Sequence, residues 1–130
     1  MNKELIISPK IDTPRINFNA ESGVLHIEGK SFPPDVTATF GGVMRWIDAY
    51  VQQPSKLTTL VLKLDYFNTA SSKIIMDILY RMEELNNAGY EVLIKWFYPE
   101  DDEDMMETGK EYAEIINVPF EHIGYTFLID

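Results

Sequence analysis

From Leu57 onward the chain switches between two hydrophobic periods, and that switching limits its fold more than any other feature. LTTLVLKLDYF (57–67) is an apolar run of strand length. TASSKIIMDILYRMEELNNAG follows with a helical stripe of Ile74, Ile75, Ile78, Leu79, Met82 and Leu85, and Gly89 supplies a C-terminal stop. YEVLIKWFY (90–98) returns to strand character and is apolar on both faces, which predicts a central strand covered twice. A strand, a helix and a second strand in this order imply parallel pairing through a right-handed crossover. The pattern alone leaves open whether helices cover one face of the sheet or both.

The flanks extend the same logic. ELII (4–7) and RINFN (15–19) read as short strands, and VLHIEG (24–29) alternates as a half-buried strand does. Glu21-Ser22-Gly23 is a turn signal, so 15–29 reads as a β-hairpin. After SFPPD, a helical spacing of Phe40, Val43, Met44, Ile47 and Val51 begins, with Asp35 as its cap and Pro54 beyond its end. Gly41-Gly42 inside it signals close packing or a kink. Pro99 and an acidic run open a third helix reaching about Asn117, and PFEHIGYTFLID offers one or two closing strands. The expected architecture is a single α/β domain over 1–130: a mixed sheet with an N-terminal β-hairpin followed by alternating helices and strands. A chain of 130 residues is enough for one core.

Composition narrows the function. The chain is 45% hydrophobic, yet no window approaches the ~18 apolar residues of a membrane span. MNKELIISPK lacks the apolar centre of a secretory signal, which together with the absence of cysteine fits a cytoplasmic protein. Without cysteine there is no disulfide, zinc-thiolate site or thiol nucleophile. A net charge of −10 argues against nucleic acid as a partner. The run 100–104 reads as a solvated helix start with acids at the positive end of the helix dipole, since the EF-hand spacing is absent.

Catalytic patterns are scarce. His26 and His122 stand far apart in strands, with no metal-ligand spacing. Gly41-Gly42 is no phosphate loop, and no nucleophile elbow occurs. Asp65 is a lone carboxylate at a strand end. No cofactor or metal is expected, and an enzyme is the weaker reading.

The junction Asn68-Thr69-Ala70-Ser71-Ser72-Lys73 is hydroxyl-rich where a buried strand hands over to a helix. Its simplest role is capping, in which Asn68 or Thr69 accepts a first-turn N–H for about 1 kcal/mol. That leaves the further hydroxyls without a task. The alternative role is a phosphorylation switch. A phosphate here meets free N–H groups and the helix dipole, gains Lys73 one turn on, and changes the surface by roughly −1.5 to −2 charges. Tyr66 and Phe67, if exposed, are natural anchors for a partner, alongside Asn68, Ser71, Ser72 and Lys73.

YFNTASSK, together with IDTPRINFN, GKSFPPD and NNAGYEVLIKWFYPEDDEDM, resembles the SiaC family of bacterial regulatory phosphoproteins, distant relatives of STAS-type anti-sigma-factor antagonists. The resemblance covers most of the chain and implies a STAS-like fold. It implies a threonine, Thr69 here, that a dedicated protein kinase phosphorylates and a PP2C-type phosphatase clears. It implies that the unphosphorylated form binds and regulates an effector such as a diguanylate cyclase, in cyclic-di-GMP signalling. Ala70 stands where some relatives carry serine, and the glycine of the STAS phosphoserine motif is missing. The expectation is a non-enzymatic switch protein. The rival is a small-ligand enzyme or sensor using Asp65 and the hydroxyl cluster.

Overall fold

The computed structural model describes residues 2–126. Six strands form one sheet in the order β1-β2-β3-β4-β5-β6: β1 (Glu4–Ile7), β2 (Arg15–Asn19), β3 (Val24–Ser31), β4 (Leu57–Phe67), β5 (Glu91–Pro99) and β6 (Phe120–Tyr125). The first three strands pair antiparallel; β3 through β6 pair parallel. Helices α1 (Val36–Tyr50), α2 (Thr69–Asn87) and α3 (Glu103–Ile115) make the three crossovers. The mixed sheet, the hairpin 15–29 and the alternation that follows all match the expectation. The third helix stops at Ile115, two residues short of Asn117. Of the closing segment, β6 is one strand, and a second would fall on 127–130, outside the described residues.

Because the strand order never reverses, right-handed crossovers place every helix on the same face. The burial pattern agrees. Ile16 and Phe18, Leu25 and Ile27, Leu60 and Leu62, Val92, Ile94 and Trp96 are all buried on the covered side. Their neighbours Thr59, Val61, Lys63, Leu93, Lys95 and Phe97 are only partly buried. This corrects the expectation that β5 is covered twice. Phe97 and Tyr125 shield the open face by flanking the Lys63 ammonium, 5.8 and 4.8 Å from the two ring centroids. An apolar stretch at a two-layer sheet thus came from aromatic rings covering a lysine.

The helical stripes meet the sheet much as the spacing predicts. Ile75, Ile78, Leu79, Met82 and Leu85 of α2 are buried, with Ile74 at the margin. On α1 the buried set includes Trp46 and Tyr50, which stack at 5.3 Å. The Tyr50 hydroxyl meets Thr58 Oγ1 at 2.7 Å inside the core, so neither polar group is left unpaired. Gly41 and Gly42 mark no close helix packing. A Cβ on either would approach only the Arg45 guanidinium, a flexible neighbour. Among the helical glycines, Gly109 in α3 does mark close packing, since a Cβ there would collide with the Trp96 ring.

Candidate functional site

Parallel pairing brings the carboxyl ends of β3, β4 and β5 to one edge, and the loop 8–14 joins them because β1 runs parallel to β3. The backbone N–H of Phe32 bonds to Asp12 O at 2.9 Å, tying that loop down. Open α/β sheets place their sites at this edge.

A β-bulge shapes it. Gly29 pairs with Leu64, but Lys30 pairs with Tyr66, so Asp65 has no partner in register. Without that extra residue, Tyr66 would follow Leu60, Leu62 and Leu64 onto the covered face. With it, Tyr66 turns outward beside Lys30 and Phe67 takes the inward place, edge-on to Trp96 at 6.3 Å. Tyr66 is accordingly 50% exposed and meets Phe32 edge-to-face at 6.0 Å. Ile11, Lys30, Phe32, Tyr66 and Asn68 line an open groove of about 650 Å³.

The junction next to the groove is closed by a set of hydrogen bonds. Asn68 is the N-cap of α2, its Oδ1 accepting from Ser71 N at 2.9 Å. Asn68 N donates to Ser31 O at 3.0 Å. Ser71 Oγ meets Ser31 Oγ at 2.7 Å, with both residues only 1% exposed. Ser72 Oγ donates to Thr69 O at 2.6 Å. The crowding of hydroxyls has its answer: Ser71 ties helix to strand, and Ser72 braces the first turn. Thr69, the first helical residue, is exposed, as is Lys73 on the same helix face.

The model of the SiaC family regulatory phosphoprotein matches residues 7–125. The chain belongs to the SiaC family. It is 33% identical over 108 residues to an uncharacterised protein of Pseudomonas aeruginosa (strain UCBPP-PA14), covering 83% of this chain and 86% of that protein. The crystal structure of apo-SiaC from Pseudomonas aeruginosa superposes with a TM-score of 0.85 at 31% identity, over 93% of this chain and 98% of the other. The crystal structure of the diguanylate cyclase SiaD in complex with its activator SiaC, from the same organism, matches with a TM-score of 0.88 at 31% identity, over 93% and 99%. Those SiaC structures share the single-domain sheet and its three helices.

Within this SiaC-family chain the expected residues divide. Tyr66, Asn68, Thr69 and Lys73 gather at the edge, and Ser72 lies half-buried beside them. Ser71 does not belong with them as a contact group, because its hydroxyl is consumed internally against Ser31. Phe67 is largely an inward anchor rather than a surface one. Ile11, Lys30 and Phe32 escaped the sequence reading. Their signal was topological, since only the parallel course of β1 and β3 brings 8–14 and the end of β3 to this edge.

The remaining polar groups are engaged elsewhere. Asp65 accepts a hydrogen bond from the Tyr125 hydroxyl at 2.7 Å. Burial, and then that bond, push the Tyr125 hydroxyl well above its ordinary range. The pair lies on the open face, so Asp65 is a buttress of the sheet rather than a free base. His26 Nε2 meets Glu28 at 2.9 Å. His122 stacks on Phe120 at 5.8 Å, and its buried Nε2 has no hydrogen-bond partner among the described residues. Among the described residues no group of His, Asp and Glu is placed to hold a metal ion, and no helix is long and apolar enough to cross a membrane. Asp102 caps α3 by accepting from Met105 N at 3.0 Å, with Glu103 and Asp104 in the first turn, as the acidic run predicts.

Proposed function

We propose that this chain is a cytoplasmic, non-enzymatic switch protein whose sheet edge docks an effector when Thr69 carries no phosphate. A protein kinase adds the phosphate and a PP2C-type phosphatase removes it. The effector is a diguanylate cyclase, by analogy with the SiaD–SiaC complex formed by the structural neighbour. One observation carries the reading: Thr69 is exposed on the first turn of a capped helix, one residue beyond the wall of an open apolar groove.

Three physical points support it. The hydroxyl can take a bulky anion without disturbing the core, because the residues that hold the junction are Asn68, Ser71 and Ser31. The first turn of α2 contains no acidic residue, so no carboxylate opposes its dipole, and the Asn68 cap takes up only the Ser71 N–H. Ile11, Phe32 and Tyr66 offer the apolar anchors that protein interfaces concentrate. A dianion at their margin must lose water before a partner can seat, and that cost lowers affinity.

Mass spectrometry of the protein from its native cell should find phosphate on Thr69; modification confined to Ser72 would refute the assignment. In binding to its diguanylate cyclase, Thr69→Asp should lose about tenfold or more in affinity relative to Thr69→Ala, equivalent to about 1.4 kcal/mol. Equal binding by the two variants removes the switch.

A further inference from the structure

Among the described residues that line the groove, Lys30 is the one cation. Lys30 stands beside Tyr66 because Asp65 is an extra residue in β4 opposite the Gly29–Lys30 step. Its neighbours in the groove are three apolar side chains and the neutral Asn68. Among the described residues no carboxylate lies within ion-pair distance of its ammonium, although the chain carries 21 acidic residues against 11 basic ones. Glu100, Asp101, Glu103 and Asp104 lie further along the same edge, at the start of the neighbouring helix, and are exposed.

These charges discriminate between occupants. A segment with a carboxylate is repelled at the α3 end of the edge and accepted at the Lys30 end, so its placement is fixed. We propose that the segment docking between Ile11, Phe32 and Tyr66 belongs to the effector and carries a carboxylate that pairs with Lys30. Phosphate on Thr69 then acts twice. It competes electrostatically for the Lys30 ammonium, and it repels the incoming carboxylate. Lys30 is thereby the residue that turns modification into exclusion. This deepens the switch reading and rests on it.

The test is a double-mutant cycle on the full chain, with binding to its purified diguanylate cyclase measured by calorimetry at two salt concentrations. Lys30 is exposed, so Lys30→Met should leave the melting temperature unchanged. It should weaken binding of the unmodified chain about tenfold and flatten the salt dependence, whereas Lys30→Arg keeps most of the affinity. Thr69→Asp should cost about tenfold in the wild-type background and no more than about threefold beside Lys30→Met. The same Asp penalty in both backgrounds overturns the role of Lys30 and leaves the switch standing. Tighter binding by Lys30→Met means a basic or wholly apolar occupant and also overturns it. No Asp penalty in the wild-type background removes the switch and this inference together.

Discussion

Helices α2 and α3 begin in the same way and differ behind the cap. Each has a side-chain cap at the residue before the helix, Asn68 or Asp102, and each cap accepts the N–H three residues on, at 2.9 and 3.0 Å. Behind the cap the two diverge. The first turn of α3 carries Glu103 and Asp104, so its dipole already faces negative charge. The first turn of α2 is neutral, with Thr69 outward and Ser71 inward. α3 is bolted to the sheet by Trp96, which donates to Met105 O at 3.0 Å and fills the notch at Gly109. α2 is tied to the end of β3 by two buried hydroxyls. The comparison teaches that one cap geometry serves both an acidic first turn, which opposes the helix dipole, and a neutral one, which does not.

The largest test of that contrast is on the bolted side. Gly109→Ala would push a methyl group against the Trp96 ring, where a Cβ meets three ring atoms within 2.8 Å. The helix or the indole must shift, and overpacking of this kind costs about 1–3 kcal/mol. Denaturant titration should show that loss, while the affinity for an effector at the α2 edge barely changes. A large loss of binding in a folded Gly109→Ala protein would mean that the two helix starts are mechanically coupled.

The caps come next. Asn68→Ala and Asp102→Ala should each cost about 1 kcal/mol, because each orphans a first-turn N–H. Asn68→Ala should also loosen Thr69 and weaken effector binding, whereas Asp102→Ala should leave binding intact. Added salt should reduce the Asp102→Ala penalty, as part of it is charge on dipole, and should leave the Asn68→Ala penalty almost unaltered. Equal salt responses from the two variants would break the distinction between a neutral and an acidic start.

Much of this arrangement was legible before any coordinates. The alternation from Leu57 to Tyr98 specified parallel strands, and Asp35 and Gly89 marked helix ends because caps and stops are local chemistry. The hydroxyl-rich junction 68–73 stood out for the same reason, while the choice of Thr69 within it came from the family resemblance. The groove was hidden because it is assembled from three separate stretches, and Tyr66 faces it only through a register shift that period-two reasoning does not foresee. Ser71 was misplaced among the surface residues because its partner, Ser31, is 40 positions away. Apolar side chains at 93 and 97 suggested a second layer of helices. On the open face the Phe97 ring instead faces the Lys63 ammonium, 5.8 Å from its centroid, so an aromatic side chain there needs no second layer of helices.

The smallest expected effect is also the most discriminating. Thr69→Asp places one negative charge in the first turn of α2, where none exists now. If that helix start is open to charge, the substitution should stabilise the folded protein by about 0.3–1 kcal/mol at low ionic strength, with the gain fading as salt is added. The same variant should lose effector affinity, so stability and binding move in opposite directions. A placeholder with no role in docking would raise stability and leave binding alone. A hydroxyl needed only for packing would lower stability. Thermal or denaturant melts at two salt concentrations read the first sign, calorimetry with the effector reads the second, and only the pair of opposite signs is what a site reserved for phosphate predicts.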